Sequence, residues 1–265
     1  MTRNTRQPTF YIPHGGGPCF FMDDPNGQWS GMAAFLKSIP GRLRQRPRAI
    51  VAISGHWETV GFAFTGAAHP ALVFDYYGFP EHTYHLRYDA PGDPALALKA
   101  TRLLQEAGLT ASVDPSRGFD HGVFIPFKVA FPGAAIPVVE MSLDRSLDPA
   151  LHLAAGRALV PLRDEGVLIV ATGMSFHNMR GYGDPRFTAP SEQFDAWLTQ
   201  SLTADAATRV ARLKDWESAP AARLCHPEAE HFLPLMVAAG AADGPAEKLY
   251  GEHVLKTAIS GFRFE

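Results

Sequence analysis

Cysteine is nearly missing from this chain: Cys19 and Cys225 are its only two in 265 residues. Two cysteines so far apart give neither a disulfide framework nor a CxxC knuckle, and reduced thiols are the expectation. Charge is also scarce. Charged residues make up 19% and the formal net charge is -3, with no long run of either sign. Nothing in this balance points to a nucleic acid or an anionic membrane surface as a partner. No stretch approaches the roughly 20 apolar residues of a membrane span. Near the start, Pro8, Pro13 and His14 break the apolar residues before a signal-peptide core forms. A soluble, cytoplasmic protein with no nucleic-acid or membrane partner is therefore expected. Neither GxGxxG nor GxxxxGK[ST] occurs, which argues against nucleotide binding. GxSxG and HExxH are absent too, which removes the nucleophile elbow and the zincin site.

What is present is a large apolar content, 46%, with 24 glycines and 22 prolines, enough for a sizeable core with many turns. Short apolar runs at 8–13 (PTFYIP), 48–54 (RAIVAIS), 109–113, 136–142 (IPVVEMS) and 167–172 (VLIVAT) read as strands. The second and last are almost wholly apolar, as strands covered on both faces are. Helical patterns occupy 29–39, 94–107, 149–165, 192–204, 206–216 and 227–239. No repeat, linker or composition shift divides the chain. The expected fold is a single-domain α/β sandwich over residues 1–265, with a central sheet flanked by helices. In such sheets ligands gather beyond the carboxyl ends of the strands.

Histidines stand at those ends. Of eleven in the chain, His14 follows PTFYIP, His56 follows RAIVAIS and a glycine, and His177 follows VLIVAT within GMSFHN. His121 lies in GFDHG and His231 in CHPEAEHFLPLM. Each of the first four neighbours a glycine turn from which an imidazole can project into a cleft. His69, His152 and His253 lack such surroundings and are read as structural. Several neutral imidazoles in one cleft suit Zn, Cu, Fe or Ni. In the last segment a helix would place 226 with 230 and 227 with 231 on shared faces. Either Glu230 or His231 can then complete a three-ligand site with His14 and His56.

In order along the chain, IPHGGGP, ISGHWE, FDYYGFPEHTYHLRYDAPGD, GFDHGVFIPF, IPVVEMSL, ATGMSFHNMR and HPEAEHFLPL occur. This set resembles the class III extradiol ring-cleavage dioxygenases, in particular their DOPA 4,5-dioxygenase-like branch. The first motif departs from the HGSP or HGAP common in that branch by an additional glycine. The resemblance implies one α/β catalytic domain, with His14, His56 and His231 as metal ligands. It gives His177 an acid–base role and places His121 against the substrate, both catalytic. It also implies Fe(II) in the working enzyme, a site that Zn(II) can occupy in isolated protein, and a catechol and O2 as substrates.

Neighbouring residues complete these expectations. Asp120 beside His121, and Ser175 and Asn178 beside His177, are candidates to orient those rings. Tyr76, Tyr77, Gly78, Phe79, Pro80 and Tyr84 are candidates for an aromatic wall. Arg180 and Lys128 are candidates for a substrate carboxylate. Two other readings of the same residues stay open: a zinc-dependent hydrolase that activates water, and a binding module without catalysis. Sequence alone leaves the oligomeric state undetermined.

Overall fold

Strands that open with an unbroken apolar run need cover on both faces, and two such strands lie at the centre of the sheet. They are β2 (Ala49–Thr59) and β8 (Val167–Gly173) in a computed structural model that describes residues 6–265. β1 (Thr9–Pro13) and β7 (Val138–Asp144) complete a parallel core in the order β7-β2-β8-β1. On one side the sheet continues to β3 (Phe62–Thr65) and β5 (Ala111–Asp114), and on the other to a hairpin of β9 (Ala246–Val254) and β10 (Thr257–Phe264). β10 runs antiparallel to β1, and β3 antiparallel to β7. Strands β4 (Leu72–Val73) and β6 (Phe119–Asp120) form a separate small parallel pair.

Helices cover the sheet. α1 (Ser30–Ser38) and α3 (His121–Ala130) contact each other, and α3 packs on β2. α2 (Pro94–Glu106), α4 (Pro149–Asp164) and α8 (Pro234–Gly240) form another contacting set, with α4 and α8 against β8. α5 (Thr188–Leu202) packs on β10, and α6 (Ala206–Lys214) and the short α7 (Ala222–Cys225) lie beside it. The starts of α2 and α4 follow from local chemistry. Asp93 and Asp148 accept backbone N–H groups of the first turn, and Pro94 and Pro149 fill positions that need no donor.

The expected α/β sandwich with a helix-flanked central sheet is what forms, and each expected strand is found with shifted ends. The last expected helix is corrected. Residues 227–233 make turns, and α8 begins only at Pro234. The shared helix faces expected for 226 with 230 and 227 with 231 therefore do not exist. The hairpin β9–β10 had no expected counterpart. Its two-residue turn, Leu255-Lys256, holds both residues at positive φ (49° and 67°), where Asn-Gly is the usual signal.

Candidate metal centre

The carboxyl ends of β1, β2 and β8 open on one cleft, and their histidines meet there. His14 directly follows β1, and its N–H donates to the Gly173 carbonyl at 3.2 Å. The chain then reverses through Gly15, whose φ of +81° is a conformation in which a side chain is strained. His56 lies within β2 rather than after it. His121 is the first residue of α3 rather than a loop residue. His177 follows β8, with its N–H bonded to the Cys225 carbonyl at 2.9 Å.

His231 arrives from the turn before α8. Its carbonyl accepts from Met174 N at 3.0 Å and from Tyr11 Oη at 3.0 Å. This docking needs Gly173: a Cβ there would meet the His231 carbonyl oxygen at 2.2 Å. The glycine that ends β8 thus makes room for the backbone of the last histidine.

All five rings are neighbours. His14, His56 and His231 have ring centroids 5.0, 5.1 and 4.6 Å apart, with steeply inclined planes. His121 lies 4.0 Å from His56 and 5.6 Å from His14, off that near-equilateral triangle. His177 stacks on His231 at 3.4 Å. Two sets of donor atoms lie within 4.8 Å of one another: His14, His56 and His121, and His177, Glu230 and His231.

The Nδ1 atoms are held from outside. His14 Nδ1 donates to the Gly15 carbonyl at 2.8 Å, and His231 Nδ1 to Glu230 Oε1 at 2.8 Å. His121 Nδ1 donates to Asp75 Oδ1 at 2.7 Å, and Asp75 Oδ2 lies 3.6 Å from His56 Nδ1. With Nδ1 carrying the proton, each neutral ring presents an Nε2 lone pair to the cleft. The Nε2 atoms of His56 and His231 are 3.1 Å apart. His14 Nε2 is buried, with no hydrogen-bond partner among the described residues. Facing lone pairs, with an unbonded buried nitrogen on the adjacent His14 ring, fit a shared cation better than they fit one another.

Electrostatics agree with that fit. Burial, then the neighbouring imidazoles, holds His14 and His231 well below the ordinary histidine range. Burial and His121 bring His56 down to about 4. These rings are neutral at pH 7, the form in which imidazole ligates metals. Burial raises Asp75 and Glu230, but hydrogen bonds to His121 and His177 respectively, with nearby histidine charge, outweigh it and leave both lowered. The two carboxylates stay ionised.

The expected orienting residues are corrected. Asp120 accepts from Ser54 and Arg117 instead of touching the His121 ring. Ser175 accepts from the Ser260 N–H through its hydroxyl and from the His226 ring through its carbonyl. Asn178 donates to the Leu224 carbonyl. Asp75 and Glu230 occupy the orienting positions. Asp75 sits two residues past β4 and His121 one past β6, so the parallel pairing of those strands brings them together. No spacing in the sequence announces that.

Other expected residues divide. Tyr76 stands edge-on to His121 at 5.6 Å, with Phe79 and Tyr84 behind it, while Tyr77 is 91% exposed. Arg180 lines a cleft of about 470 Å³ with His177, Glu228 and Glu230. Lys128 donates to the Arg87 carbonyl instead. His152 is structural, bonded at both ring nitrogens to Asp148 and Asp144 backbone. His253 pairs with Glu192 at the surface. Both cysteines are free and buried, and no helix among the described residues is long and apolar enough to cross a membrane.

Comparison with known proteins points the same way. Residues 8–262 match the family described as the catalytic LigB subunit of aromatic ring-opening dioxygenase. A dioxygenase of Hapsidospora irregularis named tasH is 42% identical, over 91% of this chain and 80% of its own length. A 4,5-DOPA dioxygenase extradiol of Beta vulgaris is 37% identical, over 88% and 86%. One of Escherichia coli K12 is 34% identical, over 91% and 87%. The crystal structure of an uncharacterized Escherichia coli K12 protein superposes with a TM-score of 0.76 at 29% identity, covering 98% of this chain and all of that one.

Proposed function

This chain belongs to the LigB family of aromatic ring-opening dioxygenases, and we propose that it cleaves a catechol at Fe(II) held by His14, His56 and His231. It is a metal-dependent extradiol dioxygenase acting with O2 on a small aromatic molecule. The observation that carries the ligand assignment is the triangle of the three rings, with centroids 4.6 to 5.1 Å apart, the Nε2 atoms of His56 and His231 3.1 Å apart and that of His14 buried and unbonded. His121 offers an alternative third ligand. The ring triangle favours His231, whose centroid is nearly equidistant from the other two.

When bound, Fe(II) supplies open coordination positions where the catechol oxygens and O2 meet. Holding the reactants together removes a large orientational barrier. The catechol gives up a proton on binding, and His177 is the base assigned to take it at its ring nitrogen. Its side chain is 20% exposed and its Nδ1 lies 3.5 Å from Glu230 Oε1, so it faces both the cleft and a carboxylate that steadies its charge. His121, held at Nδ1 by Asp75, presents Nε2 to a substrate hydroxyl. Tyr76 lends its ring edge to the aromatic side of the site.

Several relatives are named for DOPA, and the cleft here has matching chemistry. Arg180 faces a carboxylate and Glu228 an ammonium on the same rim as His177. A catechol bearing an amino-acid side chain is therefore the substrate proposed. A single catalytic domain spanning the chain and a cytoplasmic location complete the reading, since Fe(II) and free thiols both suit a reducing compartment.

The test is anaerobic loading with Fe(II), addition of catechols in air, and detection of a yellow ring-opened product. His177→Ala is expected to keep the metal and lose about 100-fold or more in kcat, the scale of one acid–base group. Full activity in that variant would remove His177 from the mechanism. Activity with Zn(II) and no oxygen uptake would favour a hydrolase.

A further inference from the structure

Two carboxylates stand behind the histidine cluster, and each serves a pair of rings. Glu230 Oε1 accepts from His231 Nδ1 at 2.8 Å and lies 3.5 Å from His177 Nδ1. Asp75 Oδ1 accepts from His121 Nδ1 at 2.7 Å, while Oδ2 lies 3.6 Å from His56 Nδ1. In both pairs, one ring is a proposed metal ligand and the other is a proposed catalytic residue. The Asp75 arrangement is the more constrained. Oδ1 also accepts the His121 backbone N–H at 3.1 Å, at the start of the ten-residue helix α3, where the peptide dipoles favour a negative charge.

We propose that Asp75 is a positioning residue that holds the His121 ring with Nδ1 protonated and Nε2 directed at the reaction site, while its second oxygen faces the His56 Nδ1 across 3.6 Å and biases that ring the same way. Neutral imidazole has two tautomers, and the partner at one nitrogen selects which nitrogen is left bare. An ionised carboxylate can only accept, so it assigns the proton to Nδ1 of His121 and, through its charge, favours a proton on the nearby Nδ1 of His56. For His56 the consequence is metal affinity. For His121 it is a bare Nε2 that accepts a substrate proton or hydrogen bond. Removing the carboxylate disturbs both at once, which a residue serving one ring would not do. This inference rests on the metal-site reading above.

Three measurements decide it. In Zn(II)-loaded protein with 15N-labelled histidine, long-range 1H–15N spectra report the tautomer of each ring. At pH about 8, above the ordinary histidine range, His121 is expected as the Nδ1–H form, identified by its loss in His121→Gln. Finding it as the Nε2–H form would overturn the proposal without any change at Asp75. The second measurement is metal affinity of Asp75→Asn, an isosteric change, by competition with a chelator. A weakening of about 10–100-fold is expected, the range seen when a ligand's outer partner is lost. Fe(II)-loaded Asp75→Asn should also show an altered kcat–pH profile, which a purely structural residue would leave in place. Wild-type affinity and an unchanged profile in the variant would overturn the proposal. If the wild-type chain itself bound no metal, the site reading would fail instead, so the two failures are separable.

Discussion

His226 and His231 stand five positions apart in one segment, both buried, and do opposite jobs. The His226 ring lies among Phe194, Trp216 and Phe232, donates from Nε2 to the Ser175 carbonyl at 3.0 Å, and has Nδ1 unbonded among the described residues. His231 lies among three other imidazoles with its free nitrogen 3.1 Å from that of His56. Burial and an unbonded ring nitrogen are thus common to a core residue and a ligand candidate. What separates them is what the nitrogen faces: apolar rings for one, converging lone pairs for the other.

The largest effect expected from this contrast is at the cluster. His14→Ala removes a buried, unbonded Nε2 from the histidine cluster and should weaken metal binding by about 100-fold or more, beyond the range for an outer partner. Metal analysis of the purified variant checks it, and full metal with full activity would dissolve the cluster's special status. His226→Ala should leave metal content unchanged. It should cost about 3 kcal/mol of stability, the order for truncating a buried ring, measured by urea unfolding.

The same variant sharpens the comparison through pH. Burial brings His226 down to about 3 from 6.5, partly opposed by its bond to Ser175. The unfolded chain therefore takes up a proton near pH 6.5 while the folded chain does not. Stability from neutral His226 is complete above pH 6.5 and is lost as pH falls toward 3. In metal-free protein, His226→Ala should lose less stability than wild type on moving from neutral pH to pH about 5. Equal losses would mean that His226 does not titrate as its surroundings dictate.

How much of this was legible in the chain depends on which forces shaped each part. β2 and β8 show as apolar runs because both faces are covered, and His14, His56 and His177 show because they follow such runs. α3 did not show. It is almost wholly buried, so it has no polar face to set a helical period, and Pro126 lies inside it. The β9–β10 turn was hidden because Leu255 and Lys256 adopt a backbone that glycine usually marks.

Within the site, ring positions follow from strand ends, but the ring partners do not. Asp120 was the natural candidate for His121 by adjacency, yet its side chain turns to Ser54 and Arg117. Asp75, 46 positions away, takes the role because β4 pairs with β6. Glu230 sits beside His231 in the chain, and there adjacency and contact agree. Tertiary pairing decides such partners, and a single sequence carries little trace of it.

The central claim is that the five converging histidines form a site where a catechol ring is opened with O2. Isotope labelling tests it most directly: Fe(II)-loaded protein, a catechol, 18O2 gas and mass spectrometry of the product. The account predicts oxygen uptake matching catechol consumed, with both labelled atoms in the ring-opened product. Turnover without oxygen uptake, or oxygen in the product drawn from water alone, would contradict it.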